Sequence, residues 1–209
     1  MRMRKKKHGA ERLAACESVL IRTKEEISEL QLPLHVEIGC GKGAFVTQLA
    51  AQNPQVQYVA LERVSDVLLL AAERAMAQNL PNVRFLLANA QNLADYFAPG
   101  QVDRIYLNFS DPWPKKGYAK RRLTHRGFLE QYRNLLSKDG CIQFKTDNRA
   151  LFDFSLAEFS ECGWRLDEVT YDPHNSAWNA QNIRTEYEEA FSAKGFPIHR
   201  LVAYPPQSL

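Results

Sequence analysis

From residue 33 onward, short apolar runs alternate with longer stretches whose apolar positions recur every three or four residues. "PLHVEIGC", "VQYVALE", "VRFLLANA", "VDRIYLNFSDP" and "CIQFKTDN" are rich in Val, Ile, Phe and Tyr, and they predict five strands. Between them, "AFVTQLAAQNP", "VSDVLLLAAERAMAQNLP", "LADYFAPG" and "FLEQYRNLLSKDG" predict helices. Asn-Leu-Pro stops the second of these, and Gly140 closes the last as a C-cap. "RALFDFSLAEFSECG" predicts a further helix ending in glycine. "WRLDEVTYD" and "PIHRLVAYP" then predict two late strands, separated by a polar loop and "TEYEEAFSAKG". Ahead of all these, "GAERLAACESVLIRTKEEISEL" reads as a helix that follows a basic tail.

Strand and helix alternating over this length predict a doubly wound α/β fold with seven strands, mostly parallel. The late strand pair, lacking an ordinary crossover helix, predicts a hairpin-like addition at one edge. The natural division is residues 1–30, a basic tail and helix, and residues 31–209, one α/β domain. Ligands in such folds bind beyond the carboxyl ends of the strands, so the residues just after each predicted strand are the candidate site.

Charge changes the picture. The chain of 209 residues has a formal net charge of only +3, yet its cations are segregated. Residues 2–7 hold five Lys or Arg and residues 115–126 hold six, with no acid in either window, while acids outnumber bases elsewhere. Such blocks on an otherwise acidic chain point to a polyanionic partner, because each cation can displace a counterion from a phosphate. No apolar run approaches a membrane span, and no apolar stretch follows the basic N-terminus as a signal peptide would require. Cys16, Cys40, Cys141 and Cys162 are scattered without a CxxC pair, so reduced thiols in a cytoplasmic protein are expected and no metal is.

The first predicted strand runs into "VEIGCGKGAF". Gly39 and Gly41 permit a tight turn and a ligand close to the main chain, and Glu37 places a carboxylate in a strand, where it needs a task or a partner. Glu62 ends the second strand, where nucleotide-binding folds put an acid against ribose hydroxyls. Asn89 follows the third, with an amide able to donate and accept at an adenine edge or simply to form a turn. NAD and S-adenosylmethionine both fit these three positions. The spacing G-x-G-x-G with a preceding glutamate, rather than G-x-G-x-x-G, favours the cationic S-adenosylmethionine over a pyrophosphate. Asp111 and the basic block follow the fourth strand, and Lys145, Asp147 and Asn148 lie in or just after the fifth.

In this order "VEIGCGKG", "YLNFSDPWPKK", "AKRRLTH", "FKTDN" and "TEYEEAF" resemble the tRNA (guanine-N7-)-methyltransferases, over nearly the whole chain. The resemblance implies a Rossmann-like class I methyltransferase that moves the methyl of S-adenosylmethionine to N7 of a variable-loop guanosine, position 46, of tRNA. It implies that Glu37, Glu62, Asn89 and Asp111 line the cofactor site and that Asp111 is catalytic. It assigns substrate binding to Lys115, Asp147 and the run Thr185, Glu186, Tyr187 and Glu188. RNA contacts are assigned to Gly117, Tyr118, Ala119, Lys120, Arg121 and Arg122. The expected partner is tRNA, with the protein a monomer or homodimer.

Guanine N7 carries an in-plane lone pair, so its methylation needs no general base. Asp111, with Asp147 and the Thr185 hydroxyl, can accept from the guanine N1 and N2 protons and offset the positive charge that alkylation creates. Trp113 can stack on a base or brace its loop between two prolines. Three other functions compete: methylation of an exocyclic amine, for which "DPWP" is a split version of the usual loop; a non-catalytic RNA-binding module; and an NAD-dependent oxidoreductase.

Overall fold

The computed structural model describes residues 6–30, 33–172, 182–185, 187–188 and 197–206. They form two compact units, Met1–Ala98 and Pro99–Leu209.

In the first unit, strands β1 (Leu20–Ile21), β2 (Leu34–Ile38), β3 (Gln57–Glu62) and β4 (Val83–Leu87) run in the order β1-β4-β3-β2, every pair parallel. Val36, Ile38, Val59, Leu61, Val83 and Phe85 are buried, which matches the near-continuous apolar runs of strands covered on both faces. Helix α3 (Ala44–Gln52) links β2 to β3, and α4 (Ser65–Ala77) links β3 to β4. The stop expected at Asn-Leu-Pro is present: Asn79 takes φ 51° beyond the last turn of α4.

The single helix expected before residue 31 is broken. Helix α1 (Gly9–Ala15) ends at Cys16, a short 3-10 turn follows, and Leu20 and Ile21 form β1 beside Phe85 and Leu86 of β4. The consecutive buried run Val19-Leu20-Ile21 explains the break, because three adjacent apolar side chains suit a covered strand better than one stripe of a helix. Thr23 then caps α2 (Lys24–Ser28), accepting from the Glu26 amide. The described residues thus hold eight strands where seven were expected, and β1 is the extra one.

In the second unit, β5 (Val102–Asn108) and β6 (Leu136–Thr146) are parallel, while β8 (His199–Tyr204) runs antiparallel to both β6 and β7 (Arg165–Thr170). The late edge hairpin is therefore present. Helix α5 (Arg126–Leu135) precedes β6 and α6 (Arg149–Glu161) precedes β7. Gly163, at φ 75°, ends α6 as expected. Gly140 does not cap α5, which ends at Leu135; it lies inside β6, where a Cβ would come within 2.9 Å of the Val102 carbonyl oxygen. Close backbone approach, not helix termination, requires that glycine.

Candidate active site

Each unit carries one cluster of the expected residues at the carboxyl ends of its strands. In the first, the turn after β2 is pinned to β3: the amides of Gly39 and Cys40 donate to the Leu61 carbonyl at 2.8 and 3.0 Å. Gly39 and Gly41 have φ of 80° and 57°, and a Cβ on either would meet nothing within 4 Å. These two glycines border open space where a ligand can approach the main chain. Gly43 differs: at φ 76°, its missing Cβ would sit 2.8 Å from the Ala71 side chain of α4.

Glu62 ties two loops together. Its Oε2 accepts from the Gly41 amide at 3.3 Å, and its Oε1 from the Arg63 and Val64 amides at 2.8 and 3.0 Å. A carboxylate has about four acceptor sites, so these three bonds hold it in place and leave capacity for a hydroxyl. Glu37, near the end of β2, is buried at 3% exposure. The charges of Glu37 and Glu62, after burial itself, push the Cys40 thiol well above its ordinary range. The glycine turn therefore lies in the negative field of two carboxylates, an environment suited to a cationic ligand. Asn89 is exposed, and its Oδ1 accepts from the Gln91 amide at 3.0 Å, capping the 3-10 turn Ala90–Asp95.

In the second unit, Asp111 lies exposed three residues beyond β5. Its loop is strained: Phe109 and Trp113 have φ of 51° and 42°, a conformation that costs a bulky side chain on the order of 1 kcal/mol or more. Arg122 braces the loop by donating through Nε to the Pro112 carbonyl and through Nη2 to that of Trp113, both at 3.0 Å. Its guanidinium also lies 4.3 Å from the centre of the Phe154 ring.

The basic block folds as the 3-10 helix Lys116–Arg121, with Lys115 before it and Arg122 after. Gly117, Tyr118, Ala119, Lys120 and Arg121 all lie within that helix. Lys115, Lys116, Lys120 and Arg121 are exposed. The Arg121 guanidinium rests 4.9 Å from the Trp113 ring and 4.7 Å from the Tyr118 ring, which meet edge to face at 5.9 Å. Arg126, the last cation of the block, is engaged by Glu158 and Glu161 of α6 at 2.7 and 2.6 Å. His125 accepts from the Gly127 amide at 3.1 Å and caps α5.

After β6, Asp147 Oδ2 accepts from the Tyr187 hydroxyl at 3.1 Å. Burial and the Asp147 charge push the Tyr187 phenol up to about 12. Asn148 caps α6, accepting from the Leu151 amide at 2.8 Å. The Thr185 hydroxyl oxygen accepts from the Glu188 amide at 2.9 Å. Glu188 is fully buried, with its carboxylate on the Lys145 ammonium at 3.2 Å. Glu186 lies outside the described residues. Sequence reasoning assigned no role to Phe109, whose ring lies 5.0 Å from that of Tyr187, or to Asn182, which donates to Glu188 at 2.6 Å. A lysine in the buried run "CIQFKTDN" was the available signal, since an ammonium there demands a partner.

The fold matches solved methyltransferases. A 16S rRNA methyltransferase superposes with a TM-score of 0.66 at 15% identity, over 87% of this chain and 92% of that one. An antibiotic-related methyltransferase gives 0.64 at 20%, over 88% and 93%. That is the fold of class I methyltransferases, and the glycine turn beneath two carboxylates suits S-adenosylmethionine, the methyl donor of the family that the chain matches. A family model described as "Putative methyltransferase" matches residues 31–201. A tRNA (guanine-N(7)-)-methyltransferase of Lachnoclostridium phytofermentans is 55% identical over 172 residues, covering 82% of this chain and 80% of that protein. One from Geobacillus sp. (strain WCH70) is 47% identical over 215 residues, covering 99% and 97%. The chain belongs to the tRNA (guanine-N(7)-)-methyltransferase family.

Proposed function

We propose that this protein transfers a methyl group to N7 of the variable-loop guanosine at position 46 of tRNA, in the cytoplasm, as a monomer or homodimer. S-adenosylmethionine supplies the methyl as an electrophile on a sulfonium. The four cysteines are free thiols, which fits a reducing compartment, and no helix of the described residues is long and apolar enough to cross a membrane.

The residues present fit that cofactor. Glu62, held by three amides, accepts from the ribose; Asn89 donates to the adenine edge; Glu37 faces the cationic amino-acid end. The open space over Gly39 and Gly41 admits the methionine moiety against the main chain. Asp111 is assigned to both cofactor and guanine. Its carboxylate accepts from guanine N1 and N2 protons, and Asp147 shares that task with the Thr185 hydroxyl. Fixed negative charge there favours a purine that gains positive charge as N7 is alkylated. No proton leaves N7, so none of these carboxylates acts as a base; their work is alignment, a term worth roughly 7–11 kcal/mol at most. Lys115, Lys120 and Arg121 meet phosphates, and the Arg121 guanidinium, resting on Trp113 and Tyr118, offers a flat surface to an exposed base.

The observation that carries this reading is the placement of one exposed carboxylate, Asp111, on a braced loop that continues directly into four exposed cations. Mass spectrometry of nucleosides from tRNA treated with the enzyme tests it. N7-methylguanosine is expected; N2-methylguanosine would instead assign the loop to exocyclic-amine chemistry.

A further inference from the structure

The least expected chemistry in the second unit is the ammonium at the end of β6. Lys145 is buried at 1% side-chain exposure and Glu188 at 0%. The Lys145 Nζ donates to Glu188 Oε2 at 3.2 Å, to the Ile183 carbonyl at 3.0 Å and to Asn182 Oδ1. Asn182 Nδ2 closes the triangle on Glu188 Oε1 at 2.6 Å. Glu188, which family resemblance assigns to substrate, thus has both carboxylate oxygens directed into the protein.

A second loop of contacts starts from the same lysine. Its carbonyl accepts from the Phe109 amide at 2.9 Å, fixing the positive-φ residue whose ring meets Tyr187. Tyr187 is the chain neighbour of Glu188, and its hydroxyl donates to Asp147, two residues beyond Lys145. Lys145 is therefore linked to Tyr187 twice, by its side chain through the adjoining Glu188 and by its carbonyl through Phe109, while the Thr185 hydroxyl oxygen accepts from the Glu188 amide.

We propose that Lys145 is a positioning residue for guanine recognition: its buried contacts to Glu188, Asn182 and the Phe109 amide seat Tyr187 on Asp147, leaving Asp147 Oδ1 aimed for the base. Glu188 then acts as the latch. The inference rests on the reading of Asp147 as a guanine ligand.

Buried ion pairs contribute weakly to net stability but can define one geometry, and that difference provides the test. Lys145→Met should lower kcat/KM for tRNA by about tenfold to a hundredfold, as a slight misplacement of a reacting group does, with S-adenosylmethionine affinity unchanged. Lys145→Met with Glu188→Met removes both charges; the unfolding midpoint should recover toward wild type while kcat/KM does not. Recovery of both would make the pair merely structural and overturn the proposal. Asn182→Ala, which leaves no buried charge unpaired, covers the case in which Lys145→Met fails to fold. Its effect on kcat/KM should not multiply with that of Tyr187→Phe, and multiplicative losses would contradict a shared path.

One readout does not need turnover. The phenol titration absent from Tyr187→Phe should sit near 12 in wild type and move toward 10 in Asn182→Ala. An unmoved titration overturns the latch even if the enzyme proves to methylate another atom. Wild-type failure on guanine N7 with a moved titration would instead overturn the substrate reading alone.

Discussion

Arg122 donates to the main-chain carbonyl of Trp113 at 3.0 Å, while its neighbour Arg121 lies exposed with its guanidinium 4.9 Å from the ring of the same residue. Adjacent cations in one basic block thus have different duties. Arg121→Ala should weaken tRNA binding and reduce the slope of log affinity against log salt by about one contact. Arg122→Ala should leave that slope nearly unchanged and lower kcat, because the loop carrying Asp111 loses two hydrogen bonds. Filter binding at several salt concentrations, alongside steady-state kinetics, separates the two.

Glu62 holds the glycine turn and the entry to α4 with the same carboxylate that is proposed to meet the ribose. Glu62→Gln removes the charge that assists those bonds, each worth roughly 1.5–3 kcal/mol. S-adenosylmethionine affinity should fall by about tenfold or more in calorimetry, with tRNA affinity retained.

Gly43→Ala should destabilise without touching chemistry. The new Cβ would lie 2.8 Å from that of Ala71 and the residue would keep φ near 76°. A loss of about 1–3 kcal/mol is expected from strain and crowding together, read from denaturant unfolding.

His199 gives a pH dependence. Burial, with the Arg149 charge, lowers its pKa below the ordinary 6.5, against raising contributions from the Tyr171 carbonyl and the Asp153 and Asp147 charges. The unfolded chain therefore takes up the proton at higher pH than the folded one. The neutral ring's contribution to stability is full above about 6.5 and is lost as pH falls through the lower folded value. The unfolding midpoint should drop as pH falls below about 6.5, and His199→Gln should flatten that drop.

What could be read from residue order was mostly what periodicity controls. The parallel strands, the edge hairpin and the placing of Glu37, Glu62, Asp111 and Asp147 at or beyond strand ends follow from apolar runs bounded by glycine or by Asx residues. Partners brought by distant segments were not legible. Arg126 looked like a phosphate ligand because Glu158 and Glu161 lie over thirty residues away. Arg122 looked the same because its acceptors are carbonyls, which the side-chain pattern does not reveal. Glu188 came in only through the substrate assignment that the resemblance implies, and its buried partner Lys145 lies 43 residues away. Gly140 follows a helix in sequence, and the Val102 and Ser137 carbonyls that a Cβ would crowd show why it is glycine.

The most direct measurement is to methylate an unmodified tRNA transcript with S-adenosylmethionine, then reduce it and cleave with aniline, which cuts only at N7-methylguanosine. A single cut at the variable-loop guanosine, giving two fragments, is the predicted result, absent with Asp111→Ala. An intact transcript that has nonetheless accepted labelled methyl groups, or a fragment from another guanosine, would contradict it.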